Sequence, residues 1–176
     1  IPDVFQEAAA RYAERPFLAV PANPTRSYAS AGVEMTYAEV GETVRVLASH
    51  YQQAGYGVGH RVGLLLENRL DHFLHKLAMN KLGVCCVPLN PDHRPHEMAY
   101  VVGHAHLDLL IVVEALEPLL QQALNVCNLR PAVVPLRDAS GPLPLVKKAA
   151  TSTRPEPATI ASILYTSGTT GQPKGC

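Results

Sequence analysis

The sequence predicts an α/β domain with a doubly wound, mostly parallel sheet flanked by helices on both faces. Continuous apolar runs such as Val62-Gly63-Leu64-Leu65-Leu66 and Val84-Cys85-Cys86-Val87 suit strands buried on both faces. Between such runs lie segments with apolar residues at helical spacing, most of them ended by glycine or proline. Strands that alternate with helices imply parallel pairing and right-handed crossovers. With 176 residues the chain can bury a real core, and it reads as a single domain over 1–176.

The elements follow in order. Val4, Phe5, Ala8 and Tyr12 form the apolar side of a short opening helix, with Asp3 near its start. Phe17 to Val20 reads as a strand, and Glu34-Met35-Thr36 as a short partner returning after a turn-rich stretch. Thr36-Tyr37-Ala38-Glu39 has the spacing of a capping box, so a helix is expected to begin there. Its stripe is Val40, Val44, Leu47, Ala48 and Tyr51, and Gly55 is its stop. After the strand at 61–67, Leu70, Phe73, Leu74, Leu77 and Ala78 mark a helix that ends at Gly83. A strand at 84–89 precedes a helix opened by Pro95 and carrying Met98, Val101, Val102 and Ala105 inward. A strand at 107–113, a helix around 116–124 and a strand at 132–134 complete the alternation. Residues 137–158, rich in Pro, Ser and Ala, read as a surface connection, and 160–165 as the last strand.

Composition excludes several classes. Formal net charge is zero, with no basic stripe, which argues against a nucleic-acid partner. No run of about 20 apolar residues suggests a membrane span, and no charged-then-apolar leader opens the chain, so a cytoplasmic protein is expected. Among the four cysteines, Cys85 and Cys86 are adjacent and should point to opposite faces of a strand, as buried inert thiols. Cys127 is placed at a helix end, and Cys176 is expected to be exposed.

Chemistry concentrates at 166–175, Thr-Ser-Gly-Thr-Thr-Gly-Gln-Pro-Lys-Gly. Four hydroxyls, three glycines and a lysine directly follow an apolar run. Glycine lets backbone N–H groups converge on an anion, hydroxyls add donors, and Lys174 adds a full charge. A plain solvated turn has similar composition, but ligands of open α/β sheets sit beyond the carboxyl ends of strands. A Walker-A loop fits poorly, because Lys174 follows Pro173 instead of opening a helix beside Ser or Thr. Ser167 lacks the flanking pattern of a hydrolase nucleophile. His72 and His75 have chelating spacing, yet they face away from Phe73, Leu74 and Leu77 and read as solvated histidines. His93, His96, His104 and His106 lack a carboxylate or thiol cluster and are read the same way. Arg94 and Glu97 read as surface charges at a helix start.

Tyr165-Thr-Ser-Gly-Thr-Thr-Gly-Gln-Pro-Lys-Gly175 resembles the phosphate-binding signature of the class I adenylate-forming (AMP-binding) superfamily. That superfamily includes acyl- and aryl-CoA ligases, adenylation domains of peptide synthetases and luciferases. The stretch 36–39 and the segment 61–91 resemble the family's first long helix and first strand–helix–strand units, in order and approximate spacing. The resemblance implies an enzyme that uses ATP and a small-molecule carboxylate to make an acyl-adenylate and pyrophosphate. A thiol, that of coenzyme A or a carrier-protein phosphopantetheine, then displaces AMP. It assigns Thr166, Ser167, Gly168, Thr169, Thr170, Gly171 and Lys174 to the β- and γ-phosphates. No catalytic residue and no Mg²⁺ ligand is expected before Cys176, since the family's adenine, magnesium, ribose and acyl-pocket motifs lie later. The implied protein is the N-terminal fragment of an acyl-CoA synthetase, inactive by itself. A non-catalytic nucleotide-binding module and a peptide-synthetase adenylation fragment are the alternatives.

Overall fold

The computed structural model describes residues 2–152, 154–166 and 173–176. Helix α1 (Pro2–Arg11) leads into a small antiparallel pair, β1 (Pro16–Val20) and β2 (Val33–Thr36). Helix α2 (Tyr37–Gln53) starts at the anticipated cap: Thr36 Oγ1 accepts from Glu39 N–H at 3.2 Å, while Glu39 Oε2 accepts from Thr36 N–H at 2.7 Å. Its buried residues are Val40, Val44, Leu47, Ala48 and Tyr51, the stripe read from the sequence. Gly55, at φ 87°, supplies the left-handed turn that ends it.

Strand β3 (Arg61–Leu65) is followed by α3 (Leu70–Lys81), β4 (Cys85–Pro88), α4 (Pro95–Ala105), β5 (Leu109–Val112), α5 (Glu117–Val126) and β6 (Ala132–Pro135). These strands form a four-stranded parallel sheet in the order β4-β3-β5-β6. From β3 the chain winds outward to β4, then crosses back to β5 on the other side and on to β6. The strand order therefore reverses between β3 and β5, the arrangement of a doubly wound sheet.

Alternation along each strand divides the core in two. Val62, Leu64, Cys86, Leu109 and Ile111 pack with α2 and α3, whereas Leu65, Cys85, Val87, Leu110 and Val112 pack with α4 and α5. The adjacent cysteines thus lie on opposite faces, as expected. Burial pushes the Cys86 thiol up to about 12 and raises that of Cys85, consistent with inert packing. Cys127 is buried and Cys176 exposed.

A third layer covers α2 and α3. Phe17 of β1 stacks within 4.3 Å of Tyr37, 5.3 Å of Phe5 and 5.8 Å of Phe73, measured between ring centroids. Because α3 lies between the sheet and this layer, it buries more than one stripe: Leu74, His75, Leu77, Ala78, Met79 and Asn80 are all inside. The expectation of a solvated His75 is corrected here. It is 3% exposed, its Nδ1 lies 3.0 Å from the Tyr51 hydroxyl, and helical periodicity does not reveal a helix with two covered sides. Phe73, assigned to the core, is instead partly exposed at the rim.

The strand expected at 107–113 is shorter, because Asp108 turns its carboxylate to accept from Arg61 N–H at 2.9 Å. Glu97 is a cap as well as a surface charge: its Oε2 accepts from Arg94 N–H at 2.7 Å, which lowers the carboxyl pKa. Residues 137–158 contain a short 3-10 turn and bond back to the domain. Val146 N–H donates to Ala54, Thr151 N–H donates to Val58, and the buried His60 ring meets the Lys148 carbonyl through Nε2. Among the described residues no helix is long and apolar enough to cross a membrane.

Gly63, at the centre of β3, is required by close packing. A Cβ there would sit 2.5 Å from Leu110 Cδ2 and 2.7 Å from Leu107 Cδ1, both in the fully packed α4/α5 face. Gly63→Ala is expected to destabilise the domain by about 1–3 kcal/mol through overpacking. Urea unfolding should show a lower midpoint with an unchanged slope.

Candidate phosphate-binding site

The site grows from the outer edge of β4. Cys86 directs its backbone groups to that side: its N–H donates to Ala161 at 3.1 Å and its carbonyl accepts from Ile163 N–H at 3.0 Å. The Ser162 hydroxyl donates to the same carbonyl at 2.8 Å. Asn80, buried at the end of α3, donates from Nδ2 to Ala161 at 2.8 Å. The segment runs parallel to β4, so it points toward the carboxyl end of the sheet.

The expectation that 160–165 forms a full strand of the parallel sheet is corrected. Only one isolated parallel bridge forms, Cys86 with Ser162, and the chain then leaves β4 for a hairpin. Tyr165–Thr166 (β7) pairs antiparallel with Lys174–Gly175 (β8), and Leu164 and Cys176 exchange both backbone hydrogen bonds at 2.9 and 2.8 Å. Ile160 and Leu164 are 56% and 52% exposed. A continuous apolar run suits burial on two faces, but at a sheet edge half of it can point outward.

Of the predicted site residues, Thr166 and Lys174 are brought directly opposite each other across this hairpin, both exposed. Opposed residues in a strand pair project to the same face, so a hydroxyl and an ammonium stand together at the neck of the loop. Pro173, just before Lys174, is buried. Ser167, Gly168, Thr169, Thr170 and Gly171 lie outside the described residues.

A concavity of about 580 Å³ lies where the strand order reverses, beyond the carboxyl ends of β3 and β5. Glu67, Arg69, His75, Glu114 and Arg137 contribute to its wall. Its guanidinium groups are engaged, Arg69 with Asp71 at 3.1 Å and Arg137 with Glu114. The loop neck, in contrast, presents Lys174 without an ion-pair partner among the described residues. Sequence reasoning missed the Asn80–Ala161 bond and a contact from His104 to Tyr165, because both join positions far apart in the chain. His96, His104 and His106 line one concavity, yet among the described residues no group of three His, Cys, Asp or Glu could hold a metal ion.

The family model described as "AMP-binding enzyme" matches residues 5–176. The chain belongs to that family. It is 30% identical to tyrocidine synthase 2 from Brevibacillus parabrevis, covering 82% of this chain and 4% of the relative. It is also 30% identical to the polyketide synthase–nonribosomal peptide synthetase ffsA from Aspergillus flavipes, covering 83% of this chain and 3% of the relative. Among solved structures, the anthranilate CoA ligase AuaEII in complex with anthranoyl-AMP superimposes with a TM-score of 0.75 at 26% identity, over 99% of this chain and 32% of that one. The chain thus spans a small part of these curated relatives and about a third of that structure.

His75 gives this AMP-binding domain a definite acid sensitivity. Burial holds the imidazole pKa down at about 4, so the folded ring is neutral at pH 7, whereas an unfolded histidine titrates near the ordinary value of 6.5. Between those values the unfolded chain binds the proton and the folded chain does not. Stability is therefore full above about pH 6.5 and falls as the pH drops toward 4, by up to about 3 kcal/mol. Urea unfolding at pH 7, 5.5 and 4 should show this loss, and His75→Gln should remove that part of the slope.

Proposed function

We propose that this chain is the N-terminal part of an ATP-dependent, AMP-forming acid–thiol ligase. A carboxylate oxygen attacks the α-phosphorus of ATP, the bond to the β-phosphate oxygen breaks, and acyl-adenylate and pyrophosphate result. A thiol then attacks the acyl carbon and releases AMP. The observation that carries this reading is the pairing of Thr166 with Lys174 at the neck of the Gly/Ser/Thr loop.

In this reading Thr166, Ser167, Thr169 and Thr170 donate hydroxyl hydrogens to the β- and γ-phosphates. Gly168 and Gly171 allow the backbone N–H groups to approach, and Lys174 supplies a point charge. Their contribution is positioning for in-line attack and stabilisation of charge on departing pyrophosphate. Mg²⁺ would offset phosphate charge in this chemistry and would be held by carboxylates in a later part of the protein. The carboxylate pocket and the general features of adenine binding are likewise assigned to later segments, so this part alone is expected to be inactive.

Coenzyme A is the proposed acceptor, a reading supported by the likeness to anthranilate CoA ligase. A carrier-protein phosphopantetheine is the second reading, favoured by the relatives at 30% identity that include a nonribosomal peptide synthetase. Either acceptor leaves the adenylation half-reaction unchanged.

The test is ATP–pyrophosphate exchange by the full-length protein against a panel of carboxylic acids, followed by AMP release with coenzyme A or a phosphopantetheinylated carrier. Lys174→Ala and Thr166→Val should each lower kcat/KM for ATP about 10- to 100-fold, the loss of one or two charge-assisted contacts. Undiminished exchange in both variants would remove these residues from the phosphate site.

A further inference from the structure

Tyr165 immediately precedes Thr166, and its side chain reaches away from the hairpin to α4. Its hydroxyl lies 2.7 Å from His104 Nδ1, and the two rings meet edge to face, with centroids 5.8 Å apart and planes at 89°. His104 is itself braced, stacking on Tyr100 one turn earlier at 5.3 Å and 23°. Helix α4 is a firm support, since Met98, Val101, Val102 and Ala105 are buried against the sheet.

The other side of the Tyr165 ring lies against Gly175, its cross-strand partner. A Cβ on Gly175 would stand 3.1 Å from Tyr165 Cζ, 3.2 Å from Cε1 and 3.1 Å from Ile163 Cγ2, so only glycine lets the ring lie this close. One side chain therefore touches both ends of the loop: it belongs to the strand entering it and covers the strand leaving it. Partial burial raises the phenol pKa, so the hydroxyl stays protonated and available to the imidazole.

We propose that His104 is a positioning residue for the phosphate-binding loop, acting through Tyr165 to tie the neck of the hairpin to α4. This rests on the phosphate role proposed for 166–174. The backbone pairing to Cys86 holds the segment before the loop, at 161–163. Beyond that point the Leu164–Cys176 bonds and the two-residue ladder hold the hairpin together, while Tyr165, packed against the α4/α5 core and bonded to His104, links it to the domain. Donors to a phosphate chain must hold their geometry to about 0.5 Å, which such a tether supplies and a free two-residue hairpin does not.

Hydrogen exchange and steady-state kinetics of the full-length protein test the tether together, using Tyr165→Phe, His104→Ala and the double variant. Tyr165→Phe keeps the ring over Gly175 and removes only the hydroxyl. Exchange at the Leu164 and Cys176 amides is expected to speed up about 3- to 10-fold in each single variant, with the double variant no faster than either. KM for ATP should rise by a similar factor, with kcat and the KM of the carboxylate unchanged. Hairpin exchange unaltered by Tyr165→Phe, or additive effects in the double variant, would overturn the tether. Faster exchange with an unchanged KM for ATP would also overturn it as a positioning device. If the wild-type protein shows no ATP–pyrophosphate exchange with any acid, the ligase reading fails, and the positioning role falls with it even if amide exchange shows the contact intact.

Discussion

The structure depends on the outer edge of β4, where the backbone of one residue, Cys86, takes up the returning chain while its neighbours bond β3. Toward the interior Cys85 and Leu89 donate to His60 and Leu64 on the β3 side, and toward the exterior the Cys86 amide and carbonyl take up 161–163. Both groups are buried, and a buried amide or carbonyl left unpaired costs about 1–3 kcal/mol. The returning segment is therefore held in one register, reinforced by Asn80 and Ser162 on the Ala161 and Cys86 carbonyls. The hairpin that follows, and with it the neck of the proposed phosphate-binding loop, is placed by that register.

The sheet behind this edge must be covered on both faces, because a parallel sheet exposes no face to water without loss. Helices α2 and α3 cover one face and α4 and α5 the other, and one helix from each side supports the site. Helix α3 supplies Asn80, which holds the edge segment, and α4 supplies His104, which meets Tyr165. The loop neck is thus supported from both sides of the sheet. The aromatic layer of Phe5, Phe17 and Tyr37 acts more remotely, meeting α3 at Phe73, while Tyr51 of α2 is the partner of the buried, neutral His75.

Electrostatics separate the concavity at the carboxyl end of the sheet from the hairpin. Where the strand order reverses, arginines and carboxylates neutralise each other, and the surface is set by those pairs. At the hairpin, Thr166 and Lys174 project together, and the residue opposite Lys174 is a hydroxyl instead of a carboxylate.

Much of the fold was legible in the linear sequence, because local rules decide it. The capping box at Thr36 and Glu39, the α2 stripe, the stop at Gly55 and the opposite faces of Cys85 and Cys86 all follow from spacing and side-chain chemistry. The cluster of Gly, Ser and Thr before Lys174 was equally visible as a run of donors close together in the chain, and the phosphate role proposed for it rests on that composition. What the sequence could not reveal depends on contacts between distant segments. His75 and Asn80 are buried because a third layer and a returning edge enclose α3, and periodicity records only one covered side. The apolar run at 160–165 could not show that it would meet β4 through a single bridge and then turn into a hairpin. Tertiary structure alone decided that Thr166 and Lys174 stand opposite each other, and that His104, 61 residues before Tyr165, touches the base of the loop.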